Sequence, residues 1–90
     1  MGNFNQKIIV LNRNPFFITL MLEPWGQDYG MNPEDEFEIR AEAVDENFYF
    51  HIWHDSKFIS VWAEGDREAY PYVFQNGVEL RCGHNRREKS

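Results

Sequence analysis

Between positions 36 and 43 the chain alternates without a break. Phe37, Ile39, Ala41 and Ala43 are apolar, and Glu36, Glu38, Arg40 and Glu42 are charged. Successive side chains of a strand point to opposite faces, so a period of two sorts these residues onto two sides of one extended segment. The preceding Asn32-Pro33-Glu34-Asp35-Glu36 resembles a helix start, with Asn32 as cap and Pro33 in the first turn, and Glu and Ala favour helix. On a helix, however, Ile39 and Ala43 would leave the face that holds Phe37, Ala41 and Val44. The alternation therefore predicts a strand over 36–44.

Six further β-rich runs lie at 7–11, 16–22, 48–54, 58–63, 72–75 and 78–82, separated by turn residues at 12–15, 55–57, 64–68 and Asn76-Gly77. Seven short strands so spaced predict an all-β fold, a single small antiparallel sandwich or barrel. Asn76-Gly77 is the strongest hairpin signal, because both residues tolerate positive φ. The 16–22 run is apolar except for Thr19, which predicts a central strand covered on both faces. Pro24 ends it, and Trp25-Gly26 opens a long connection through Tyr29 to Pro33.

Ninety residues suffice for one domain. The expected division is a domain over 1–83 and a basic flexible tail over 84–90. Eight Phe, four Tyr and three Trp supply too much apolar area for a disordered chain. The net stability expected at this length is on the order of 5 to 13 kcal/mol. Cys82 is the single cysteine and can close no internal disulfide, so a secreted, disulfide-stapled domain is not expected. No run approaches the roughly 20 apolar residues of a membrane span, and the first residues lack the pattern of a signal peptide. The expectation is a cytoplasmic protein without a membrane partner. The net charge is -6, and because the tail contributes +2 the body carries -8. Such a body repels phosphate, so no nucleic-acid partner is expected.

A hairpin with its tip at Asp45-Glu46 would pair Ala43 with Phe48, Ala41 with Phe50, Ile39 with Ile52 and Phe37 with His54. Its other side would pair Glu42 with Tyr49, Arg40 with His51 and Glu38 with Trp53. A turn around Asp55-Ser56 extends both sets. Ile52/Ile59, Phe50/Val61 and Phe48/Ala63 join the apolar side, and Trp53/Phe58, His51/Ser60 and Tyr49/Trp62 join the other. A slip of one residue would exchange every side chain between faces, so this segregation argues for the register. It yields a candidate binding face of Glu38, Arg40, Tyr49, His51, Trp53, Phe58 and Trp62. That face has three candidate occupants: a second sheet, a second copy of the chain, or a foreign ligand or protein. In the last hairpin the expected pairs are Gln75/Val78, Val73/Leu80 and Pro71/Cys82 inward, with Phe74/Glu79 and Tyr72/Arg81 outward.

Catalytic signals are sparse. His51 and His54 form an H-x-x-H, but three residues along a strand put the rings about 10 Å apart on opposite faces, too far for one metal ion. Cys82 and His84 lack a third group to orient them. Gly26, Gly30 and Gly65 form no phosphate-binding loop. The carboxylates Glu34, Asp35, Glu36, Glu38 and Glu42 read as a solvated strand face. No catalytic residue, no metal and no cofactor are expected.

The run from Phe17 through Leu22-Glu23-Pro24-Trp25-Gly26, with Tyr29, Pro33 and Phe37-Glu38-Ile39, resembles a small bacterial domain that carries an L-E-P-W-G signature. The resemblance implies a strand ending in Glu-Pro-Trp-Gly and a Pro-Gly turn before the next strand. Glu34 stands here at the position of that glycine. No catalytic residue is carried over. Trp25 would plug one end of the sandwich beneath the Tyr29 loop, or line a pocket with Glu23.

Three functions follow in order of preference. The first is a non-enzymatic β-domain that associates with itself or with a protein partner through the aromatic and charged face. The second is a cupin-like barrel that binds a small molecule or metal, with His51, His54, Glu38 and Trp25 as candidates and catalysis left open. The third is single-strand nucleic-acid binding as in an OB-fold, which has the rings but lacks a positive groove.

Overall fold

The computed structural model describes residues 4–86. Among them the chain forms eight strands: β1 (Gln6–Leu11), β2 (Ile18–Glu23), β3 (Gln27–Met31), β4 (Glu36–Ala41), β5 (Tyr49–His54), β6 (Phe58–Glu64), β7 (Tyr72–Gln75) and β8 (Val78–Glu79). A first sheet has the order β1-β4-β7-β8 and a second the order β3-β2-β6-β5. The expected all-β sandwich is present, with one parallel pair, β2 with β6, among antiparallel ones. The alternation in β4 works as read. Phe37, Ile39 and Ala41 are fully buried, while Glu38 and Arg40 lie on the opposite side.

The core lies between the sheets. Phe37, Ile39 and Val73 of the first sheet meet Ile18, Leu20, Leu22, Tyr29, Met31 and Val61 of the second. Each large side chain buried in this way contributes roughly 1.5 to 3 kcal/mol. Burial also pushes the Tyr29 phenol up to about 12, and its hydroxyl donates to Gln27 Oε1 at 3.0 Å. A smaller cluster of Ala41, Ala43, Phe48 and Ala69 closes one end.

The expected Asp45-Glu46 hairpin does not form. β4 pairs with β1 and β7, whereas β5 pairs with β6 in the other sheet. The stretch after Ala41 is a crossover held by distant side chains. The Asn5 amide donates to the Ala43 carbonyl at 2.7 Å and accepts from the Ala43 N–H at 2.8 Å. One carboxylate oxygen of Asp66 accepts from the N–H groups of Val44 and Asp45 at 2.8 and 3.0 Å. Those backbone donors hold the Asp66 carboxyl below the usual range.

The expected long connection from Trp25 to Pro33 instead contains β3, which pairs along β2 with Leu20 opposite Tyr29 and Ile18 opposite Met31. Gly30 masks this strand in the sequence, because glycine is usually read as a strand breaker. Its lack of a side chain has a packing cause. A Cβ there would lie 2.4 Å from the Asn85 carbonyl oxygen and 2.6 Å from the Phe17 ring.

The outer edge of β3 is covered by the end of the described chain. Gly30 N–H donates to the His84 carbonyl at 2.7 Å, and Gly83 N–H donates to the Asp28 carbonyl at 2.7 Å. The Arg86 guanidinium grips the Asp28 carboxylate at 2.8 and 2.5 Å and keeps that carboxyl below its ordinary value. Residues 84–86 of the expected tail are thus docked on the fold, and 87–90 lie outside the described residues. Cys82, expected inward beside Val73 and Leu80, is exposed. The chain turns toward β3 once Leu80 N–H has bonded the Val73 carbonyl at 2.8 Å.

The Asn76-Gly77 turn forms as expected, with φ of 52° and 80°, and sets Gln75 against Val78 and Phe74 against Glu79. Before β4, Asp35 N–H bonds the Asn32 carbonyl at 3.0 Å, and Glu34 has φ of 71°. Proline second and a positive φ third is the arrangement of a type II turn, which favours glycine. Glu34 thus holds a backbone conformation that glycine adopts more readily. Its ion pair with Arg13, at 3.6 Å and open to solvent, contributes little. Glu34→Gly should raise stability by about 0.5 to 1 kcal/mol, the relieved strain being partly offset by a freer unfolded chain. An increased urea midpoint is the expected result; a decrease would mean that the turn is not strained by its side chain.

Candidate interaction surface

The three aromatic side chains with the highest fractional exposure among the described residues, Trp53, Tyr49 and Phe58, are carried by β5 and β6. Their register sets Tyr49 opposite Glu64, Phe50 opposite Ala63, His51 opposite Trp62, Ile52 opposite Val61 and Trp53 opposite Ser60. This differs from expectation by two residues. Asp55 N–H bonds the Phe58 carbonyl at 2.9 Å, so the hairpin tip is Ser56-Lys57, one position later than Asp55-Ser56. A shift of two preserves the faces. Tyr49, His51 and Trp53 therefore do share one side with Trp62, and Phe58 lies on that side by the same alternation.

That side points away from the core. Trp53 is 59% exposed, Tyr49 54% and Phe58 48%. A second sheet as the occupant is thereby removed. Glu38 and Arg40 do not belong to this surface, since β4 lies in the other sheet. There the Arg40 guanidinium sits 4.2 Å over the Phe74 ring and donates through Nε to Glu38 at 2.9 Å. The seven residues read as one face thus form two faces on opposite sides of the sandwich.

Polar side chains run in a line across the aromatic face. Trp53 Nε1 lies 3.1 Å from His51 Nε2, and His51 Nδ1 lies 3.1 Å from the Glu64 carboxylate. An indole nitrogen can only donate, so His51 Nε2 accepts and the ring proton sits on Nδ1, facing Glu64. Both ring nitrogens are engaged within the face. The Trp53 and Trp62 rings are 6.3 Å apart, and Trp62 Nε1 is buried with no acceptor among the described residues. Trp53, His54, Asp55, Phe58 and Ser60 line a shallow hollow of about 120 Å³.

The residues of the barrel reading do not come together. His51 and His54 lie on opposite faces of β5, and Glu38 is in the other sheet. Trp25 packs on the core and on Tyr70, with ring centroids 4.8 Å apart. Glu23 accepts from the Gly26 N–H at 3.1 Å, closing its own turn. Among the described residues no three His, Cys, Asp or Glu side chains are placed to hold a metal ion.

The sequence reading found the rings but missed the edge. β5 is the last strand of its sheet, and all its residues except Phe50 are exposed, including Ile52 at 46% on the side that faces inward elsewhere. It contains no Asp, Glu, Lys or Arg. Proteins usually blunt such an edge with charge, proline or a covering segment. β3, at the other end of the sheet, has its cover from His84, whereas β1 carries Lys7 and β8 is only two residues long.

Comparison with family models, with curated proteins and with solved structures gave no match. Among the described residues no helix is long and apolar enough to cross a membrane. Fold and surface together define a class: a small all-β sandwich in which, among the described residues, an uncharged edge strand flanked by exposed aromatic rings has no covering segment.

Proposed function

We propose that this chain is a non-enzymatic interaction domain that pairs with a second copy of itself along β5. The observation that carries the reading is the edge of β5, uncharged and, among the described residues, uncovered, with apolar side chains exposed on both faces. A strand edge offers a row of backbone donors and acceptors, and an antiparallel copy of the same strand is complementary to it by symmetry. A two-fold axis at His51 keeps like faces together. It sets Tyr49 of one copy against Trp53 of the other on the aromatic side, and Phe50 against Ile52 on the core side. Charge also favours this site, because two chains of net charge -6 meet best where neither strand brings a carboxylate.

Trp53→Lys tests the reading by placing a charge on the edge. Dimer affinity should fall by about tenfold or more, with monomer stability within about 0.5 kcal/mol of the parent, since Trp53 is largely exposed. Ile9→Lys, on the exposed side of β1, serves as the control. Sedimentation velocity over a concentration series reads both. Dissociation by Ile9→Lys alone would put the interface on the wrong strand.

A further inference from the structure

A hollow of about 540 Å³ is lined by Tyr72 of β7, Glu79 of β8 and the loop residues Phe4, Glu42, Val44, Glu68 and Tyr70, with no residue of β5 in its wall. Its size is that of a small-molecule site. The rings form a continuous wall, with Tyr70 and Tyr72 5.2 Å apart and Phe4 5.9 Å from Tyr72. The wall continues through Phe74, 5.8 Å from Phe4, to the point where Arg40 already seats a cation on a ring face. None of Glu42, Glu68 and Glu79 is in an ion pair among the described residues.

From these features we propose that the hollow binds a small alkylated ammonium compound, a quaternary or N-methylated amine without an acidic group. Ring faces attract a cation through their quadrupole, and they do so best when the cation is weakly hydrated and sheds water at little cost. A hydrated metal ion gains nothing from the rings and needs several converging oxygens. Here no three acidic groups converge among the described residues. An anion or zwitterion with a free carboxylate meets three unpaired glutamates. A neutral apolar molecule makes no use of them. Rings to contact the methyl groups, and carboxylates at longer range to supply the charge, are complementary to the remaining class.

The test is independent of the β5 reading, because no residue of β5 lines the hollow. The whole chain is titrated with choline chloride and, separately, with its neutral isostere 3,3-dimethyl-1-butanol, and amide shifts are followed by NMR against sodium chloride of equal ionic strength. The expected result is saturable shifts clustered at Phe4, Tyr70, Tyr72 and Glu79, with the isostere about tenfold weaker or more. Tyr72→Leu should weaken choline binding about 5-fold, and Glu79→Gln about 3-fold. Glu79→Gln alters only an exposed carboxylate, so it decides the matter if Tyr72→Leu does not fold. Choline shifts no different from those of sodium chloride, equal binding of the isostere, or parent-like binding by a folded Glu79→Gln would each overturn the proposal.

Discussion

Replacing Asn12 by Ala is expected to lower the unfolding free energy by about 2 to 4 kcal/mol, a large part of the stability of a domain this small. Asn12 is 1% exposed and stitches three segments together. Its Nδ2 donates to the carbonyls of Phe16 at 3.0 Å and Met31 at 3.1 Å, while its Oδ1 accepts from the Asn14 N–H at 3.0 Å. Its own N–H and carbonyl bond Asp35 and Glu34 across the turn that opens β4. Truncation removes these side-chain bonds, among them the buried one to Met31, and a buried polar group that loses a partner costs more than a made bond gains. Asn12→Asp should be at least as damaging, because it keeps the acceptor, loses both donors and buries a charge. Urea unfolding reads both variants. An Asn12→Ala protein within about 0.5 kcal/mol of the parent would show that the turn holds without its hub.

Gly30→Val has the second large effect, and it links stability to association. A side chain at position 30 collides with the Asn85 backbone and the Phe17 ring, and a backbone clash is not relieved by rotating a side chain. The expected loss is about 2 to 3 kcal/mol or more, accompanied by release of residues 83–86 from the edge of β3. In hydrogen exchange the Gly83 amide, bonded to the Asp28 carbonyl in the parent, should lose its protection. The second sheet would then have open edges at both ends, β3 and β5. A dimer closed by a two-fold axis would give way to open-ended assembly. Larger species that grow with concentration are the expected readout. A Gly83 amide that stays protected in the variant would contradict the account of the covered edge.

The pattern of residues exposed one level of structure and hid another. Alternation in β4, β5 and β6 states which side chains share a face of their own strand, and it survived a register shift of two because parity is unchanged. It does not state which strand lies alongside. The sequence around Asp45-Glu46 looks like a hairpin tip, and the crossover that forms there is held by Asn5 and Asp66, whose positions in the chain give no local signal. β3 was hidden by Gly30, chosen for a close approach of Asn85 and Phe17 that only the folded chain contains. The open edge of β5 was equally out of reach, since an edge is a property of strand order.

The central claim is that β5 of one copy lies antiparallel to β5 of another. The most direct measurement is an isotope-filtered NOE experiment on a mixture of labelled and unlabelled chains, recorded at a concentration where the protein sediments as a dimer. The account predicts contacts between the Tyr49 ring of one copy and the Trp53 ring of the other, together with contacts between Phe50 and Ile52. A dimer with no β5 contact between copies, or a chain that stays monomeric at every concentration, would contradict it.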